Sequence, residues 1–185
     1  MLTADYTGGS ISAFPIGKGE VGNLCASLKF TGQGPDTVRQ ASSHIHQLKA
    51  LSSANGNWIL ATDLGAVPAF SLKQRILADE VNARGSADIH IHPTGKWLYT
   101  SHRLSNDGIA IFNILPDSSL EKVGYARTGR HPRNFMITDD GAYLFVACRD
   151  DKIIQIFEIL PNGSLLLTGT SPTFEEDKPS SICGL

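Results

Sequence analysis

The sequence predicts an all-β chain of about four repeated units, each of four short antiparallel strands. Three observations carry that expectation. The outline "HPTGKWLYTSHRLSNDGIAIF" returns about forty residues later as "TDDGAYLFVACRDDKIIQIF", with its polar residues changed and its apolar skeleton kept. A strand-ending position held by Asp5, Asp63, His102 and Cys148 recurs at spacings of 58, 39 and 46 residues. Alternating runs such as "IAIFNI" and "IIQIFEI" lie between Gly-containing turns and are too short for ordinary helices. A period of about 40–45 residues with four strands per unit is that of propeller blades. The expected architecture is therefore a β-propeller of four-stranded antiparallel blades.

The units follow in order. The first, about residues 1–43, opens with "MLTADYTGGSISAFPI", which carries only the second half of the outline. Its glycines suit a hairpin turn, being too few and wrongly placed for a phosphate-binding loop. The second unit, about 44–86, holds "NGNWILATD" and then "VPAF". The third, about 87–131, is the most regular, running through "DIHIH", "KWLYTS", "IAIF" and "LEKVGYA". The fourth, about 132–178, repeats it, and residues 179–185 of "KPSSICGL" read as the opening strand of another unit, of the type that closes a ring.

At about 45 residues per blade, 185 residues make roughly four blades. Closure by 179–185 and an open arc are both conceivable. The open arc is favoured, because the second unit looks damaged. Asp63 to Phe70 spans seven residues where the other units use nine or ten, and Pro68 cannot donate to a ladder. The expectation is a deletion of about one blade at Ala66–Val67. An open arc leaves blade faces bare, and Ile11, Phe14, Ile154 and Phe157 are expected to line them and drive self-association.

Composition excludes several classes. Apolar residues make up 41% and charged residues 18%, the balance of a globular domain. A net charge of −2 without a basic run gives nucleic acid no footprint. No apolar run approaches the roughly 20 residues of a membrane helix, so no membrane partner is expected. The opening residues lack a signal-peptide pattern. Three cysteines, Cys25, Cys148 and Cys183, show no CxxC spacing and read as reduced structural residues. A cytoplasmic protein is the expectation.

Taken together, "TADYTGGSISAFPI", "SSHIHQL", "LATDLG", "SADIHIHPTGKWLYTSHRLSNDGIAIF", "GRHPRNFMITDDGAYLFVACRD" and "IIQIFEI" resemble the seven-bladed lactonase β-propeller family, in the family's order and along nearly the whole chain. The resemblance implies a hydrolase that opens 6-phospho-D-glucono-1,5-lactone to 6-phosphogluconate, in the pentose phosphate route, without a cofactor. A carboxymuconate-lactonising cousin shares much of the outline. About two blades that the family carries before "YTGGS" have no counterpart. Neither has a blade with a Pro-Arg-His run and an Asn-Glu-Leu run, whose arginine and glutamate are candidate site residues of the family. A catalytically silent fragment that binds or assembles is therefore the alternative.

Opening a lactone needs a base to activate water and a group to stabilise charge on the carbonyl oxygen. A sugar phosphate adds a dianion suited to arginine. His44 and His46 match the family's H-x-H run as candidate catalytic residues. At i and i+2 they would share one strand face, either toward the central channel or bonded to backbone carbonyls at a strand edge. Arg103 matches an arginine of the family's site, and is otherwise a surface ion-pair residue. Arg133 in "HPRNF", expected just before an inner strand, is either a phosphate ligand or a blade-junction anchor. His46 and Arg103 are expected on one face of the propeller. A metal lacks a third ligand and is not expected. Asp88 and His90 share a strand face and read mainly as a buried hydrogen-bonded pair that holds blades together. Glu175-Glu176-Asp177 reads as a solvated loop.

Overall fold

The computed structural model describes residues 1–34, 36–53, 56–63 and 85–183. Among them no helix occurs, and every regular element is a strand. The proposed deletion point at Ala66–Val67 lies outside the described residues.

The third and fourth units are complete four-stranded meanders. In the third, β8 (Ser86–Ile91), β9 (Trp97–His102), β10 (Gly108–Ile114) and β11 (Leu120–Arg127) pair in sequence order. In the fourth, β12 (Pro132–Ile137), β13 (Tyr143–Cys148), β14 (Ile153–Ile159) and β15 (Leu165–Thr170) do the same. The first unit is three-stranded, with β1 (Leu2–Asp5), β2 (Ser10–Ala13) and β5 (Ala26–Lys29) in that order. A small ribbon of β3 (Ile16–Gly17) and β4 (Glu20–Val21) interrupts it. The second unit shows the hairpin β6 (Ile45–Ser53) and β7 (Gly56–Asp63). Asp5, Asp63, His102 and Cys148 end β1, β7, β9 and β13, so the strand-end repeat is the structural repeat.

Alternation along the strands builds the cores between units. Tyr99, Ile109 and Ile111 point from the third sheet toward the fourth and pack with Phe135, Leu144, Val146 and Phe157. Their neighbours Leu98, Ala110 and Phe112 point the other way, joining Ile89, with Leu60 of β7 against them. Ile11 and Phe30 of the first unit bury Ile45 of the second. Neighbouring sheets thus stack face to face, and the third is buried on both sides. This is an open arc of propeller blades.

The bare face of the fourth sheet differs from expectation. Phe157 and Ile11 lie inside the inter-blade cores, at 2% and 7% exposure. Ile154 is on the open side, in line with Phe145 and Ile156 across the β13–β14 ladder. Phase along β14 decides this, since residues 154 and 157 differ by an odd number and face opposite ways.

Turn chemistry fixes the meanders. In "TDDGAY", the Asp140 carboxylate accepts from the Thr138 hydroxyl at 2.6 Å and the Ala142 amide at 2.9 Å, and Gly141 takes φ +73°. The neighbouring blade seals this turn, as His92 Nε2 donates to Gly141 O at 3.0 Å. A Cβ at Gly141 would lie 2.5 Å from that same Nε2. Gly141→Ala therefore combines left-handed strain with loss of the inter-blade bond. It is expected to cost about 1–3 kcal/mol in urea unfolding, and an unchanged midpoint would contradict this packing.

Candidate anion site on the inner strands

The inner strands β6, β8 and β12 lie side by side and are tied by one repeated hydrogen bond. Gln47 Oε1 accepts from the Ile89 amide at 3.1 Å, and Asp88 Oδ2 accepts from the Phe135 amide at 3.0 Å. The next in the series is Asn134 Oδ1, which accepts from the Ile182 amide at 2.6 Å. The residue before each acceptor, namely His46, Ala87 and Arg133, lines a cleft of about 350 Å³, and the acceptors form the rest of its wall with Ser180.

His46 sits in this cleft, partly buried. Burial, followed by the charges of Arg103 and Arg133, lowers its pKa from the ordinary 6.5, against an upward pull from Asp88. Its imidazole is therefore neutral at pH 7. His44 goes elsewhere. It precedes β6, and the ladder shifts register between Ile45 and Gln47. That irregularity breaks the i, i+2 rule for sharing a face. His44 Nδ1 instead donates to Tyr6 O at 2.9 Å, and its ring stacks on Tyr6 at 4.7 Å. Tyr6 also meets the His46 ring edge-on at 6.0 Å.

Arg103 follows the end of β9, its amide donating to Gly85 O at 2.8 Å. It is no surface ion-pair residue, being only 3% exposed. Nη1 donates to His131 Nε2 at 2.9 Å, which fixes His131 as the Nδ1–H tautomer, donating in turn to Asp150 at 3.1 Å. The buried Nε has no hydrogen-bond partner among the described residues. Burial first, then Arg133, Arg39 and Arg149, bring the Arg103 pKa down to about 10. Arg133 lies within β12 rather than ahead of it, and Arg149 pairs with Asp150 at 3.0 Å. A chain of net charge −2 thus places three other guanidinium groups within electrostatic reach of Arg103.

Nothing in the sequence pattern singles out His131, although "RHPRN" contains it. It adopts φ +60° and Leu104, directly after Arg103, φ +84°. Backbone strain of this kind persists where the surroundings over-determine it and clusters at functional sites. The Asp88–His90 pair is present at 3.2 Å, and Asp88 also accepts from Asn134 Nδ2 at 2.5 Å. Among the described residues no group of three or more His, Cys, Asp or Glu is placed to hold a metal ion. Burial raises the Cys148 thiol to about 12, which removes it as a nucleophile at neutral pH.

The family model for the seven-bladed β-propeller lactonases matches residues 1–75 and 66–182. The chain belongs to this lactonase family. Its match comes in two pieces that overlap at residues 66–75. A 6-phosphogluconolactonase of Formosa agariphila is 40% identical over 114 residues, covering 60% of this lactonase-family chain and 30% of that protein. Two crystal structures of proteins provisionally assigned as 6-phosphogluconolactonases are similar over 97% of the chain. The one from Bacteroides fragilis has 34% identity, TM-score 0.63 and 68% of its own length covered. The one from Bacteroides uniformis has 36% identity, TM-score 0.63 and 69% covered. The chain thus matches less than a third of the length of its curated relative.

Proposed function

We propose that the inner-strand cleft binds a sugar-phosphate lactone and supports its hydrolysis, with 6-phospho-D-glucono-1,5-lactone as substrate. The observation that carries this reading is the buried Arg103, whose Nε–H has no partner among the described residues and which lies within electrostatic reach of Arg133 in the cleft wall. Like charges held together raise the energy of the empty site, and a dianion relieves them. Arg103 and Arg133 are assigned to the phosphate or the lactone carbonyl oxygen. Neutral His46 is assigned as the base. It takes a proton from water as the water oxygen attacks the lactone carbon. The ring C–O bond then breaks, and the alkoxide recovers the proton to give the hydroxy acid. The name carried by the Formosa and Bacteroides relatives supports the substrate class.

A second reading is favoured by length. The family's Pro-Arg-His and Asn-Glu-Leu runs have no counterpart in this sequence, so the glutamate they carry is missing. Active-site groups act as a unit, and the 185 residues would then bind without turnover. Lactone hydrolysis measured against spontaneous hydrolysis in buffer separates the two, and a rate equal to the blank overturns the enzyme reading for this chain. Binding tests the anion site alone. Arg103→Met is expected to weaken 6-phosphogluconate binding at least about tenfold, which is about 1.4 kcal/mol. Equal affinity of variant and parent in calorimetry would remove Arg103 from the site.

A further inference from the structure

We infer that Ser180 is a fourth ligand-facing residue of the cleft, presented by the segment 178–183 seated in the place of a fourth inner strand. The inference rests on the anion-site reading and extends it. Spacing, hydrogen bonding and cleft lining agree. The acceptor series Gln47, Asp88, Asn134 advances by 41 and 46 residues, and a further 47 reaches Ser181. The amide received by each acceptor belongs to the residue after the next acceptor, namely Ile89, Phe135 and Ile182. Ser180 therefore holds the position of His46, Ala87 and Arg133, and it lines the same cleft. The segment joins no ladder among the described residues, so side-chain seating on Asn134 places it.

The chemistry of this position differs from blade to blade. It offers imidazole from β6, a methyl group from β8, guanidinium from β12 and a hydroxyl from 178–183. A hydroxyl beside Arg133 donates to a ligand oxygen without adding charge, which suits the hydroxyl-rich body of a sugar phosphate. Ser180 is solvent-exposed, so substitutions there leave the cores intact.

The test is calorimetric binding of 6-phosphogluconate and of inorganic phosphate to the 185-residue chain. Ser180→Asp sets a carboxylate against the guanidinium cluster and is expected to weaken both probes about five- to tenfold. Ser180→Ala is expected to weaken 6-phosphogluconate while leaving phosphate within about twofold. Thr173→Asp, on an exposed part of the same tail, controls for net charge and is expected to change neither by more than about twofold. Unseating the segment with Asn134→Ala should abolish the effect of Ser180→Asp when the two substitutions are combined. If parent and Ser180→Asp bind alike, the inference fails and the anion site stands. If the parent binds neither probe, the anion-site reading fails and takes this inference with it.

Discussion

Asp88→Ala is expected to lower the stability of the chain by about 3–4 kcal/mol in urea unfolding. The carboxylate is 2% exposed. Oδ2 accepts from Asn134 Nδ2 at 2.5 Å, the Phe135 amide at 3.0 Å and His90 Nε2 at 3.2 Å, while Oδ1 accepts from its neighbour's amide at 2.8 Å. Two of these donors belong to the next blade. Removing the carboxylate leaves the buried Phe135 amide and the part-buried Asn134 side chain without this acceptor, each lost partner costing about 1–3 kcal/mol. Total stability of about 5–15 kcal/mol makes this a large fraction. Asp88→Asn keeps the volume and one acceptor oxygen, and is expected to lose roughly half as much. A change below about 1 kcal/mol for the alanine variant would show that the blades do not depend on this junction.

The junction also marks where the sequence stops being informative. Strand ends, turns and the four-unit outline are local, because alternation and glycine placement act over a few residues, and Asp5, Asp63, His102 and Cys148 fall where the repeat puts them. The Asp88–His90 contact, two residues apart on one strand, was legible for the same reason. The bond from Asp88 to Phe135 joins positions 47 apart in the chain, and only the stacking of blades reveals it. The candidate site depends on more than spacing. His46, Arg103 and Arg133 lie within electrostatic reach of one another, whereas the register shift after Ile45 takes His44 out of simple alternation with His46 and leaves it bonded to Tyr6. His131 gave no periodic signal, and its importance comes from accepting a hydrogen bond from an arginine 28 residues earlier.

Stability is expected to fall as pH drops from about 6.5 toward 4, with a slope set chiefly by His102. This imidazole ends β9 beside Arg103, bonds Thr100 Oγ1 at 2.7 Å and leaves Nδ1 buried without a partner among the described residues. Burial first, then Lys122, depress its pKa from 6.5 to about 3. The folded value lies below the unfolded one, so in this window the unfolded chain binds the proton and the folded chain does not. Stability is fully present above the unfolded value and declines as pH falls toward the folded one, at up to about 1.4 kcal/mol per pH unit. His46 and His131 are also lowered, burial being the first cause in each, and add to the loss with the same sign. The lowered carboxyls of Asp140 and Asp151 add a loss of the same sign from about pH 5 downward, in parent and variant alike. Urea midpoints at pH 7, 6, 5 and 4.5 measure the slope in the parent and in His102→Asn. Asparagine can still bond Thr100 and does not titrate, so its curve should be flatter by up to about one proton's worth, whatever its absolute stability. Parallel curves for parent and variant would mean that His102 is protonated in the folded chain, and the buried, neutral imidazole at the root of Arg103 would have to be abandoned.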